Sequence, residues 1–145
     1  METADKIQSL SLTISRINGL GQQFIQKNGM NAYVVKVLYA VSLTPEMTQR
    51  QISATCGMPK QTVNNVIRSL QKDGMVCLRQ QKNDRREKTV ILTAQGKSYL
   101  SEILVPLMKV QDKVMEQMGA EAFDQMTEAL EAYSKIMEKV MEEII

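Results

Sequence analysis

The chain has 145 residues, 43% of them hydrophobic, which suits one domain of ordinary size with enough apolar material for a core. It contains no histidine, the commonest general base and zinc ligand, and its two cysteines, Cys56 and Cys77, have neither a disulfide framework nor a metal-ligand spacing. A net charge of +2 conceals an uneven distribution: residues 48–97 carry ten Lys or Arg against three Asp or Glu, whereas residues 98–145 carry four against ten.

No constellation of acid, base and nucleophile can be assembled, so the expectation is a protein that is not an enzyme and that needs no cofactor or metal. The basic middle points to a polyanion partner, the alternative being a solvated surface of uneven charge. No apolar run approaches the roughly 18 residues of a membrane span, and the opening METADKIQSL has polar residues where a signal peptide needs an apolar centre. A cytoplasmic chain without a membrane partner is expected.

In chain order, Ile7, Leu10, Ile14, Ile17, Gly21 and Phe24 alternate spacings of three and four, one seam of an amphipathic helix ending near residues 27–29. Met30, Tyr33, Val34, Val37, Leu38 and Val41 then share a face. With Val35, Tyr39 and Ala40 also apolar, this second helix is expected to be buried nearly all round until LTPEM, residues 43–47, breaks it. Thr48 followed by Gln51 is a capping box that starts a short third helix. Gly57 can close that helix in the left-handed conformation, and Pro59 suits a first helical position, so a fourth helix should start within about three residues. This spacing is that of a helix-turn-helix.

In the fourth helix Val63, Val66, Ile67 and Leu70 form a core face. Lys60, Gln61, Thr62, Asn64, Asn65 and Arg68 line the others. Amide side chains can pair with adenine edges in the major groove, and a lysine beside a helix start can hold a phosphate, which makes these six residues candidates for DNA contact. A hydrophilic face turned only to water is the alternative. After Gly74 the period shortens to about 2: MVCLRQ and KTVILT flank QKNDRRE as in an antiparallel hairpin. A hairpin directly after a helix-turn-helix is a wing. Lys82, Arg85, Arg86 and Lys88 would carry its charge toward the minor groove, where narrow A·T-rich stretches attract arginine.

DRREKTVILTAQG, residues 84–96, resembles the D-x-R then L-T-x-x-G wing signature of the MarR family of regulators, with Asp84, Arg86, Leu92, Thr93 and Gly96 in register. GMPKQTVNNVIRSLQKDGMV, residues 57–76, is similar to that family's turn and recognition helix. The resemblance implies a mostly α fold with a small β-hairpin wing. It would comprise a winged helix-turn-helix over about residues 30–97, and dimerisation helices over about residues 1–28 and 98–145, in a single MarR-type domain. It further implies that Arg86 enters the minor groove and that Asp84 stabilises the wing by ion pairing. Pro59 and Asn65 depart from the family, which more often has a small polar residue at the first position and a basic one at the second.

In the last third, Thr93 can cap a helix that runs past Pro106, and Phe123, Met126, Leu130, Tyr133, Met137, Val140 and Ile144 form a second three-four seam. A homodimer reading a palindromic double-stranded operator follows as the expectation, acting as a transcriptional repressor. The family resemblance adds release by a small lipophilic or phenolic effector. Two alternatives stay open: thiol-based sensing through Cys56 or Cys77, and a protein-interaction module on the same fold that does not bind DNA.

Overall fold

The structure is a computed structural model and describes residues 2–81 and 87–145. Its described elements are six helices and three strands: α1 (Thr3–Lys27), α2 (Ala32–Leu43), β1 (Met47–Thr48), α3 (Gln49–Cys56), α4 (Lys60–Lys72), β2 (Val76–Gln80), β3 (Lys88–Leu92), α5 (Ala94–Met118) and α6 (Ala120–Ile144). The fold is therefore mostly α with a small antiparallel sheet in the order β1-β3-β2, a winged helix-turn-helix. The chain divides into two compact units, residues 1–104 and 105–145. No described helix is long and apolar enough to cross a membrane.

The first unit is built around α2, α3, α4 and the sheet. Asn31 starts α2 by accepting hydrogen bonds from the N–H groups of Tyr33 and Val34 at 2.9 and 3.2 Å. Val35, Val37, Leu38, Ala40 and Val41 are buried, as the apolar run requires. Tyr33 and Tyr39, however, are exposed, so α2 is not covered all round. Both rings carry a hydroxyl, and counting Tyr39 as apolar overstated the burial.

Thr48 performs two tasks. As the residue before α3 it closes the expected capping box: its Oγ1 accepts from the Gln51 N–H at 3.2 Å, and Gln51 Oε1 accepts from the Thr48 N–H at 2.9 Å. It also lies in β1, opposite Thr89 of β3, with Met47 opposite Val90. This third strand was not anticipated from the sequence. The start of the helix-turn-helix is thereby tied to the wing.

Gly57 closes α3 with φ 61°, the left-handed conformation that a side chain makes unfavourable. Pro59 precedes α4 as its cap with φ −58° and ψ 146°, one residue earlier than the first helical position expected. Its ring still serves the same end, because the N–H it lacks would have no partner at a helix start. Along α4, Val63, Ile67 and Leu70 recur at three and four residues and are buried against Leu38, Ile52 and Val76 of the common core. Full burial of each such side chain stabilises by about 1.5–3 kcal/mol.

In the hairpin, β2 pairs with β3 from Val76↔Leu92 to Gln80↔Lys88. Beyond it, Thr93 caps α5 by accepting from the Gly96 N–H at 3.0 Å while its hydroxyl donates to the Gly74 carbonyl at 2.6 Å. Gly96 is required for a separate reason. A Cβ there would collide with the Met75 carbonyl oxygen. The L-T-x-x-G run is thus the joint at which wing strand, α4 exit and α5 start meet. α5 continues through Pro106, the internal proline foreseen for this helix.

α1 and α6 differ from all of this. Neither contains a buried residue. On α1, Ile7, Ile17 and Leu20 are each more than half exposed. In the second unit, Met126, Leu130, Tyr133, Met137, Val140 and Ile144 of the expected α6 seam are all exposed.

Candidate nucleic-acid interface

The amphipathic pattern of α4 decides what it offers outward. Burying Val63, Ile67 and Leu70 leaves Lys60, Asn64 and Arg68 in one row at a spacing of four, with Gln61 and Asn65 in the next. Lys60, Gln61, Asn65 and Arg68 are exposed, and Thr62 and Asn64 are partly buried. Gln61 Nε2 donates to Asn65 Oδ1 at 3.3 Å. This contact holds two amides side by side on the surface, with hydrogen-bonding capacity left over for base edges.

Between the start of α3, the start of α4 and the base of the wing lies a cleft of about 470 Å³. Thr48, Gln49 and Arg50 line it from α3 and its cap, Lys60, Gln61 and Asn64 from α4, and Leu78, Glu87 and Lys88 from the wing. Among the described residues, three cations therefore converge there, from three different elements. Arg50 Nη2 stands 3.5 Å from Glu87 Oε1. A second ion pair, Arg79 Nη1 to Glu46 Oε1 at 3.2 Å, joins β2 to the turn before β1. Glu46 has φ 63°, a left-handed conformation that costs a non-glycine residue energy and that the surrounding turn must hold.

Of the ten residues expected to contact DNA, four line this one cleft: Lys60, Gln61, Asn64 and Lys88. Thr62, Asn65 and Arg68 lie on α4 outside its lining. Lys82, Arg85, Arg86 and the wing-stabilising Asp84 lie outside the described residues. Sequence reading missed Arg50, Gln49 and Glu87. Arg50 sits between Thr48 and Gln51, the two partners of the capping box, which are the residues that carry a local signal there. Glu87 comes near it only through the pairing of β3 with β1.

The cysteines are placed differently from each other. Cys56 is buried, its Sγ facing the Lys36 carbonyl oxygen at 3.9 Å. Burial pushes its thiol pKa up, against a smaller opposing effect of the Lys36 charge. Cys77 is exposed on β2. No group of His, Cys, Asp and Glu among the described residues could hold a metal ion.

Comparison with known proteins bears on the same segment. Residues 29–87, from the end of α1 to the wing, match the model of the MarR family. The chain is 33% identical over 79 residues to an uncharacterized HTH-type transcriptional regulator, YwoH, of Bacillus subtilis; the match covers 54% of this chain and 57% of that relative, little more than half its length. Among solved structures it resembles NMB1585, a MarR family regulator from Neisseria meningitidis, with a TM-score of 0.79 and 26% identity over 97% of this chain and 99% of the other. It also shares its fold with CouR from Rhodococcus jostii RHA1, with a TM-score of 0.73 and 19% identity over 92% of this chain and 94% of that one. The wing joint, the capped helix-turn-helix and these likenesses agree: residues 29–87 resemble the MarR family, and the chain shares the winged helix-turn-helix fold of a MarR family regulator.

Proposed function

We propose that the protein is a sequence-specific, double-stranded DNA-binding transcriptional repressor that acts as a homodimer. The observation that carries this reading is the cleft in which Arg50, Lys60 and Lys88 converge beside the amide row of α4. Cations at that spacing suit phosphates, and the amides suit base edges, so position and sequence are read by different groups. Lys60 holds a phosphate at the start of α4. Gln61, Thr62, Asn64, Asn65 and Arg68 face the major groove, and Lys82, Arg85, Arg86 and Lys88 follow the wing toward the minor groove. A protein-interaction module would call for an acidic or apolar face on α4, whereas Lys60, Gln61, Asn65 and Arg68 are exposed there.

The homodimer is supported by the two 25-residue helices α1 and α6, neither of which contains a fully buried residue, with Ile7, Ile17, Leu20, Leu130, Tyr133 and Ile144 exposed. Apolar stripes of that length exceed what a monomer ordinarily leaves in water, and a second copy offers the same stripes in return. An effector has a candidate seat in a mainly apolar cleft of about 440 Å³ lined by Val41, Ile91, Leu92, Leu100, Ser101 and Lys97. Glu46 lines it as well, so its size and apolar walls suit a small lipophilic or phenolic effector, with Lys97 as the cation for an acidic one. The fold relative CouR is bound to p-coumaroyl-CoA. Thiol sensing through Cys56 is disfavoured, because a buried thiol held in its neutral form is a poor nucleophile.

The test is a fluorescence anisotropy titration of labelled duplex at several salt concentrations. Each phosphate neutralised contributes roughly 0.9 to the slope of log affinity against log salt, so a steep negative slope is expected. A flat response would contradict the reading.

A further inference from the structure

The Arg50–Glu87 pair sets one cation of the cleft against a carboxylate. It joins the second residue of α3 to the residue just before β3 at 3.5 Å, with the side chains 74% and 35% exposed. Among the described residues that line the cleft, Glu87 is the one carboxylate beside three cations. So exposed a pair is held weakly, because solvation and side-chain entropy offset most of its attraction; its worth corresponds to about a 1.5- to 5-fold change in an equilibrium constant. A phosphate oxygen offers the same guanidinium equally good charge-assisted hydrogen bonds. Arg50 also lies on the first helix of the helix-turn-helix, the helix that crosses the DNA backbone when the second enters the groove.

We propose that Arg50 is a phosphate-contacting residue, and that Glu87 occupies its guanidinium in the DNA-free chain and gives it up to a backbone phosphate on binding. This rests on the cleft being the DNA-binding surface. Glu87 then competes with every duplex for one cation, which weakens binding to all sequences alike and leaves base discrimination to α4.

Two variants test the exchange by fluorescence anisotropy, with thermal melting to confirm that each folds. Glu87→Gln removes the competitor while keeping the shape, and should tighten binding to any duplex about 1.5- to 5-fold. The double variant Arg50→Ala/Glu87→Gln has the parent's net charge. If the pair opens on DNA it should nevertheless bind more weakly and lose about 0.9 from the salt slope, one phosphate contact. A double variant that matches the parent in affinity and slope would mean that the pair stays closed on DNA, and an unchanged or weakened Glu87→Gln would equally overturn the proposal. Lys60→Ala separates the two levels. If the parent binds steeply and Lys60→Ala lowers the slope while the double variant does not, the exchange fails and the DNA reading stands; if the parent does not bind duplex, both fail.

Discussion

The segment from α2 to β3 and the helices α1 and α6 solve the burial problem in opposite ways. Leu38, Ile52, Ile67 and Val90 of the first are almost completely buried, all within one chain. α1 and α6 carry apolar stripes as well, yet neither contains a fully buried residue, and on α1 it is Phe24 and Ile25, near its end, that pack against the core. The same three-four periodicity thus describes a helix covered within its own chain and helices whose stripes stay largely exposed in it. Periodicity predicts that a face will be covered; it does not name what covers it.

The largest effect expected from this contrast follows removal of α6. Truncation before Phe123 deletes one stripe and leaves its counterpart unmatched, so the product should sediment as a monomer or precipitate, while the parent sediments as a dimer at micromolar concentration. A parent that is a soluble monomer at that concentration would break the comparison. Next in size are core deletions. Ile52→Ala and Leu38→Ala each remove a side chain with no exposure and should cost about 2–5 kcal/mol in denaturant unfolding. Leu130→Ala on α6 should act instead through assembly, lowering the melting temperature most at low protein concentration. Equal and concentration-independent effects at the three sites would erase the distinction.

A smaller effect is expected at the wing joint. Gly96→Ala brings a methyl group against the Met75 carbonyl, and relief requires backbone movement between α4 and β2. A loss of about 1–3 kcal/mol is expected in chemical denaturation. A neutral substitution would mean that the joint is looser than its geometry indicates. The smallest and most specific changes concern readout. Asn64→Ala or Asn65→Ala should relax base choice by about 1–3 kcal/mol at a defined pair, sparing nonspecific binding. Arg86→Ala should weaken all operators, most of all those with A·T-rich flanks. Competition titrations with paired duplexes would distinguish these outcomes, and an Arg86→Ala protein with the parent's operator affinity would remove the wing from the contact.

What the sequence revealed and what it hid divide along the range of the interactions involved. The capping box of Thr48 and Gln51, the left-handed Gly57, the burial of Val63, Ile67 and Leu70, and the two long strands of the hairpin are all written within a few residues, and each stands where expected. β1 was illegible because Met47 and Thr48 are too few to show a period; they become a strand only through Val90 and Thr89, some forty residues away. Arg50 was missed for the same reason, since its partner Glu87 is brought to it by that pairing. Tyr33 on the seam of α2 and Tyr39 beside it mislead in the other direction: their rings count as apolar, yet both remain in contact with solvent. Of the candidate site, the α4 residues were legible because one helix carries them. The cleft that gathers Lys60 and Lys88 with Arg50 was not, because three elements build it.

On the proposed function, the winged helix-turn-helix reads a half-site and the terminal helices bring two such readers together. Selection and sequencing of random duplexes retained by the purified protein tests both at once. The expected result is enrichment of a palindrome whose half-sites are centred about 10 base pairs, one helical turn, apart or a multiple of it. Enrichment of a single asymmetric half-site would contradict the dimer, and no enrichment over the input pool would contradict sequence-specific binding altogether.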